Sequence, residues 1–466
     1  MAETEARLAR SEKGGILSSR YRVVTIASIA IVFLAAFENL GFATIMPVIS
    51  RQLHGADLYA VAFAAPLAIG VVGMVGAGAW SDARGPRAPL VASVIIFAVG
   101  LVIAGAAPSM AALLVGRLVY GMAGGGITVT LYVVVGRTFP SSLQPQIFGA
   151  FAAAWILPAL VGPAIAGIVA QSVGWRWVLF GVVVLVVVAL FLLLPVLSEL
   201  DTERAVAKAG VVGRLAISVV LAVAVLGLGL VRQLSGLLEP VVGLAALAVA
   251  VLCARKLLPR GTLSLRPGIG GVIGLRTILA GAYFGAEIYL PYVLTGEFGL
   301  TPAVAGLSLT GAGVTWGSAS WLQGRVADRI SAIASLRIGA ALVSLSIAGV
   351  LVTAAFDWSP WLAIVGWTVG GAGMGMAYPR LSVLMLDYST PESQGFNSSA
   401  LAIADAVGPA ITLALLGVLF ESIKAGSPTS VAFTAVFALA GLLAVASLAA
   451  SSRVGVPTSS RARALP

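Results

Sequence analysis

The sequence predicts an all-α integral membrane protein of fourteen transmembrane helices, built as two six-helix repeats with two helices inserted between them. Three observations carry that prediction. The 466-residue chain is 59% hydrophobic and only 10% charged, whereas soluble domains carry roughly a quarter charged residues. Its apolar residues gather into fourteen stretches, each near the length of about 20 mostly apolar residues that a spanning helix needs. Two markers also recur at one offset of 246 residues: Gly78 and Asp82 return as Gly324 and Asp328, and Gly162-Pro163 returns as Gly408-Pro409.

Taken in order, a polar tail over 1–21 precedes spans 1 to 6 at 22–49, 58–80, 88–106, 110–136, 145–171 and 176–197. These form an N-terminal six-helix bundle, 22–197. A linker over 198–262 contains spans 7 and 8, at 212–231 and 237–257. The C-terminal bundle, 263–450, holds spans 9 to 14, at 270–295, 302–323, 335–356, 360–386, 394–420 and 429–450, and a second polar tail covers 451–466. Short Gly, Pro and charged passages separate the spans. Thr301-Pro302 and Thr390-Pro391 each set a hydroxyl residue before proline, a helix-start signal.

Charge fixes the expected orientation. With the N-terminus inside, cytoplasmic segments hold 23 of the 28 basic residues, Arg276 counted among them, and the outer loops hold Arg51, Arg176, Arg232 and Lys424. Lys and Arg accumulate on the cytoplasmic side of membrane proteins, so both termini are expected in the cytoplasm. The same asymmetry supports spans 7 and 8 as two full crossings, since losing one would move every later loop to the other side. The net charge of +10 does not imply nucleic acid, because the basic residues are scattered between apolar runs. Cys253 has no disulfide partner and lies in an apolar run, and His54 sits alone in a short loop, so no metal centre is expected. Residues 1–21 are polar and the first apolar run is too long for the core of a signal peptide. No Gly-x-x-x-x-Gly-Lys-Ser/Thr phosphate loop occurs, and no nucleophile–base constellation suggests an enzyme.

Several motifs have a recognisable order. Gly78-x-Trp80-Ser81-Asp82-x-x-Gly85-x-Arg87 joins spans 2 and 3. Glu38 precedes Pro47 in span 1. Span 4 carries Arg117-x-x-Tyr120-Gly121-x-x-Gly124. Span 5 carries Pro158 and Gly162-Pro163-x-x-x-Gly167, followed by Gly174-Trp175-Arg176-Trp177. The chain resembles the major facilitator superfamily of transporters, specifically its fourteen-helix drug:proton antiporter branch. The resemblance implies a major facilitator fold, a plasma membrane of bacterial type, proton-coupled multidrug efflux by alternating access, and no cofactor besides the proton gradient. It departs from the usual motifs at Ala83 and Pro86, at Pro158 where a glycine is usual, and at Glu38 where an aspartate is more common. By the same resemblance Arg117 belongs to a proton relay, and Gly162-Pro163 serves tight packing and exchange direction.

The residues themselves carry the chemistry further. A carboxylate at the centre of a spanning helix costs roughly 2.5–3.5 kcal/mol on insertion scales, so Glu38, Glu287 and Asp405 each need a reason. One reason is proton binding and release, since a site that is neutral when protonated and anionic when free suits a coupled carrier. A solvated position in a cavity, or a hydrogen bond between helices, is the other. Arg117 inside a span demands a buried partner, and Glu38 is the expected one, either as a coupling pair or as a structural tether. Trp155, Tyr283, Tyr289, Tyr292, Trp316 and Trp367 either line a hydrophobic cavity for amphipathic or cationic substrates or anchor helix ends at the interface. Glycines of span 2 (Gly70, Gly73, Gly76) and span 4 (Gly121, Gly124, Gly125, Gly126) allow close helix approach, and Pro158 with Pro163 should bend span 5.

The polar passage 78–90 reads as a conformational gate built from Gly78, Asp82, Gly85 and Arg87, with Gly324, Asp328 and Arg329 as its second copy. Asp82 is expected near the positive N-terminal end of span 13. Ser331 stands where the first copy has Gly85, so the two copies are expected to act unequally. The partners expected are small amphipathic or cationic molecules, protons and lipid, with the protein a monomer. Export of an endogenous lipid or metabolite is the alternative within transport. A non-transporting receptor or scaffold would have no need of the buried charges.

Overall fold

The computed structural model describes residues 15–19, 21–140, 143–197, 211–231, 234, 238–326, 329–389 and 394–455. Helices dominate and no strand occurs among these residues. The first half comprises α1 (Arg22–Gln52), α2 (Tyr59–Arg84), α3 (Arg87–Gly105), α4 (Met110–Thr138), α5 (Gln144–Ala153), α6 (Ile156–Ser172) and α7 (Arg176–Leu197). Then come α8 (Val211–Leu230) and α9 (Leu238–Leu257). The second half comprises α10 (Ile269–Gly296), α11 (Pro302–Arg325), α12 (Ala332–Phe356), α13 (Pro360–Asp387), α14 (Gln394–Lys424) and α15 (Thr429–Ser451). Among the described residues, ten helices are long and apolar enough to cross a membrane.

The fourteen predicted spans correspond to these helices one for one, except that span 5 is broken into α5 and α6. The break falls at Ala154-Trp155. Pro158 accounts for it: a proline lacks the N–H that would bond the carbonyl four residues earlier, and its ring crowds that carbonyl. Pro163 sits inside α6 without breaking it. Elsewhere helices start where capping predicts. The Thr301 side chain accepts from the Val304 amide at 3.3 Å and so closes the first turn of α11.

Side-chain and terminal contacts define the two faces of the bundle. Tyr21 stacks near Phe139, and the Gly268 amide donates to the Val454 carbonyl, so the outer ends of α1, α4, α10 and α15 share one face, the terminal face. On the far face the Trp175 indole N–H donates to Gln52 Oε1 at 2.9 Å, and Arg176 reaches the Ala107 carbonyl at 3.0 Å.

The second half repeats the packing of the first. α2 and α3 pack on α4 as α11 and α12 pack on α13. The α2–α4 contact depends on glycine. A methyl group at Gly73 would meet the Met122 carbonyl, and one at Gly125 would meet the Gly70 carbonyl, so the two backbones touch. The halves meet along two seams, α6 with α11 and α2 with α14. At the first, a Cβ on Gly167 would lie 2.9 Å from the Ala303 Cα. α8 lies against both α2 and α14, covering the second seam, and α9 packs outside α8.

The polar passage 78–90 is less of a loop than its sequence suggests. α2 continues through Ser81, Asp82 and Arg84, and α3 begins at Arg87, leaving only Gly85 and Pro86 between them. Hydropathy marks where the apolar run stops, whereas the helix runs on until Gly85, whose φ of 79° is open to glycine and strained for other residues. At the second copy Ser331 has an ordinary φ of −61° and caps α12 through its hydroxyl. The two turns are therefore built differently. Asp328 lies outside the described residues, as does Pro391, the expected neighbour of Asp82. Arg329 is exposed in the turn after α11.

Candidate functional site

Each half buries one arginine against one carboxylate. In the first half Glu38 projects from the middle of α1 and Arg117 from the first half of α4, and both are 4% exposed. Arg117 Nη1 lies 3.3 Å from Glu38 Oε1. The Tyr120 hydroxyl donates to the same oxygen at 2.8 Å, so one carboxylate oxygen collects both contacts. Arg117 Nε donates to the Ala62 carbonyl of α2 at 2.7 Å. That acceptor is available for a reason legible in the chain: Pro66, four residues on, cannot supply the helical N–H. The guanidinium also lies over the Phe42 ring at 3.8 Å and faces Phe63 and Tyr120, where a cation is favoured by the ring face. Arg117 thus ties α1, α2 and α4 together.

In the second half the arginine is Arg276, and its place corrects the sequence reading. Charge counting places it among the cytoplasmic segments, yet it lies inside α10 and is 7% exposed. Arg276 Nε and Nη2 donate to Asp405 Oδ1 and Oδ2 at 2.6 and 2.8 Å, a two-pronged fork. Nη1 donates to the Tyr378 carbonyl at 3.0 Å, and the guanidinium stacks 3.4 Å from the Tyr378 ring centroid. The Asp405 side chain is 32% exposed, so this pair reaches open space from the middle of α14.

Glu287, the third predicted acid, is buried on α10 without an ion pair among the described residues. It lies beside Trp367, whose buried indole nitrogen has no hydrogen-bond partner among the described residues. The predicted aromatics do not form one cavity lining. Tyr283, Trp316 and Trp367 pack into a cluster with Phe284 and Tyr378 next to Glu287. Tyr289 and Tyr292 belong to a second cluster near the far face, with Tyr59, Phe420 and Phe433. Trp155 stands apart at the α5–α6 break, 44% exposed. Sequence reasoning missed Tyr59, whose hydroxyl donates to the Ile288 carbonyl across the halves at 3.0 Å.

The remaining predicted residues divide by position. Pro158, Gly162, Pro163 and Gly167 lie on α6, with Pro163 against Gly306 and Gly167 against Ala303 of α11, and Gly162 towards Phe37 of α1. Gly78 packs near Val129, and Asp82 and Arg87 form no ion pair among the described residues. Gly324 stands in open space. Cys253 is a buried free thiol, and no group of residues suited to a metal ion occurs among those described.

Comparison with known proteins agrees with this architecture. Residues 28–286 match the family model of the Major Facilitator Superfamily. A probable multidrug-efflux transporter of Mycobacterium tuberculosis (strain H37Rv) is 27% identical over 459 residues, covering 92% of this chain and 94% of that protein. The multidrug transporter protein MdtP of Bacillus subtilis (strain 168) is 24% identical over 428 residues, covering 89% and 77%. Among solved structures, a POT family transporter in complex with 5-aminolevulinic acid superposes with a TM-score of 0.71 at 14% identity, covering 93% of this chain and 96% of that one. A D-xylose–proton symporter superposes with a TM-score of 0.63 at 13% identity, covering 91% and 97%.

Proposed function

The chain belongs to the major facilitator superfamily, a family of membrane transporters rather than enzymes, and from that premise we propose that it is a proton-coupled multidrug exporter of the fourteen-helix antiporter branch. The observation that carries this reading is the Glu38–Arg117–Tyr120 cluster. A carboxylate held by a single oxygen inside an apolar bundle can exchange its arginine contact for a proton without leaving an unpaired charge of its own. Deprotonated, it binds Arg117 and, through the Ala62 carbonyl, fixes α2 to α1 and α4. Protonated, it releases one of the two anchors of Arg117 and loosens that link. Proton occupancy and helix position are then two descriptions of one equilibrium.

The terminal face is cytoplasmic in this reading, as the distribution of Lys and Arg supports. The far-face aromatic contacts between Tyr59, Tyr289 and Tyr292, with the exposure of Asp405, support an inward-facing state that receives cargo from the cell. Glu287 within its aromatic cluster is the site for a lipophilic or cationic substrate, with charge attraction and ring faces acting together. One proton moving down a 100 mV potential supplies roughly 2.3 kcal/mol, enough to bias such an equilibrium. Asp82, Gly85 and Arg87 act as the gate at the terminal face, with Gly324, Asp328 and Arg329 as a weaker second copy. The tightly packed α6–α11 seam, with Pro163 and Gly167 against α11, guides the rocking of the halves, while Gly162 lets α6 approach Phe37 of α1 and Pro158 sets the break before α6. The protein works as a monomer in a bacterial-type inner membrane.

The test is dye efflux from vesicles under an imposed proton gradient. Wild type is expected to export dye only with the gradient, and Glu38→Gln to lose gradient-driven export while still folding. Undiminished, gradient-dependent efflux by Glu38→Gln would remove the assignment of proton coupling to this cluster.

A further inference from the structure

We propose that Tyr59 is a positioning residue that couples the Glu38–Arg117 pair to Glu287 across the two halves, by holding the first turn of α2 against a weakened turn of α10. The inference rests on the proton-coupled export reading and adds to it a route between its two acidic sites. Tyr59 is 2% exposed, and its hydroxyl donates to the Ile288 carbonyl at 3.0 Å. Ile288 directly follows Glu287. Pro291 sits within α10, and its missing N–H leaves the Glu287 carbonyl, four residues earlier, without a helical donor. The latch therefore lands where α10 is least stiff, on the turn that carries the acid.

The other end of the link has the same construction. Pro66 lies within α2 and frees the Ala62 carbonyl, which takes the Arg117 Nε–H at 2.7 Å. Tyr59 and Ala62 are three residues apart, hence on one face of one helical turn. Pro66 removes one hydrogen bond between that turn and the rest of the continuous α2, and the turn is held by Arg117 through the Ala62 carbonyl and by α10 through the Tyr59 hydroxyl. Arg117 and Tyr120, both of α4, are the groups that touch Glu38. A shift of Arg117 as its contact with Glu38 is made or broken moves this turn with it, and with the turn the Tyr59 hydroxyl on α10. While that hydrogen bond holds, the far face stays shut; once it is withdrawn, the far face is free to open and α10 can repack around Glu287. Tyr59 stays packed through its ring, stacked on Tyr292 at 4.5 Å and beside Phe63 at 5.5 Å, so the hydroxyl alone can be removed.

The experiment uses the full chain in proteoliposomes. Spin labels are placed at His54→Cys and Lys424→Cys, far-face positions in opposite halves, in a Cys253→Ala background. Tyr59→Phe is expected to shift the distance distribution towards the longer, open separation and to lower gradient-driven dye efflux by about tenfold, the scale of one hydrogen bond in a two-state equilibrium. Equilibrium dye binding should stay near the wild-type value. Thr434→Val, which removes a hydroxyl near the far face that donates to the Ser430 carbonyl of its own helix, should leave both readouts unchanged. An unchanged distance distribution in Tyr59→Phe overturns the proposal, as does an equal shift in Thr434→Val. Wild type that lacks gradient-driven efflux would instead overturn the export reading, with the distance measurement still deciding whether Tyr59 holds the far face shut.

Discussion

The two arginine–carboxylate pairs differ in grip and in exposure. Arg276 holds Asp405 by two prongs, at 2.6 and 2.8 Å, while the Asp405 side chain remains 32% exposed. Arg117 holds Glu38 by one contact at 3.3 Å, and both residues are almost wholly buried. A fork closed on both oxygens and reached by water is suited to staying closed as an anchor. A single contact in an apolar surround, backed by a hydroxyl on the same oxygen, is suited to being exchanged. On the proposed mechanism, depth and incomplete pairing together mark the pair that moves. The strength of the ion pair alone would have selected the other one.

The largest effect should come from removing an arginine. Arg117→Met leaves Glu38 buried with only the Tyr120 hydroxyl and leaves the Ala62 carbonyl without a donor. Breaking one side of a buried pair typically costs roughly 3–5 kcal/mol, so thermal unfolding in detergent should fall steeply and gradient-driven efflux should vanish. Arg276→Met should cost less, because Asp405 can be hydrated through its exposed edge. Equal losses in the two variants would erase the distinction between exchangeable pair and anchor. Next in size is Tyr120→Phe, which removes a hydrogen bond to a charged acceptor, a change of roughly 1.5–3 kcal/mol. Its melting temperature should drop, and its efflux should respond to the proton gradient over a displaced pH range. A Tyr120→Phe variant with an unchanged pH profile would show that the hydroxyl does not govern how Glu38 exchanges its partners.

Much of this was legible in the residues. Hydropathy located every span, the repeat of Gly78 and Asp82 revealed the duplication, and the cost of Arg117 in an apolar helix demanded Glu38. Arg276 escaped because it lies only about two turns inside α10, where charge counting assigns a residue to the nearest polar loop. The usable signal was its position within its own apolar span, opposite a span that carries Asp405. Tyr59 escaped for another reason: a tyrosine at a helix start reads as an interfacial anchor until the partner helix is placed. The prolines were legible as kinks but carried more. Pro66 names the carbonyl at Ala62 that Arg117 fills, and Pro379 names the carbonyl at Gly375, which the Ser320 hydroxyl fills at 3.3 Å. A proline in a spanning helix marks, four residues earlier, an acceptor that some neighbour has to satisfy.

The smallest expected effect is also the most selective. Dissolved ions screen charges that water can reach, with a Debye length of about 10 Å at 0.1 M and about 3 Å at 1 M, and screen buried pairs far less. Asp405→Asn should therefore lower the melting temperature at low salt by an amount that shrinks as salt rises, since the wild-type pair it removes is itself weakened. A partly exposed pair is worth at most about 1 kcal/mol before its fork geometry is counted, so the shift is a few degrees and needs paired measurements. Glu38→Gln should show a difference from wild type that hardly changes across the same salt series. Parallel salt dependence in the two variants would mean that ions reach the Glu38 pocket too. The pair in the first half would then be exchanging its partner with solvent, and burial would no longer account for its behaviour.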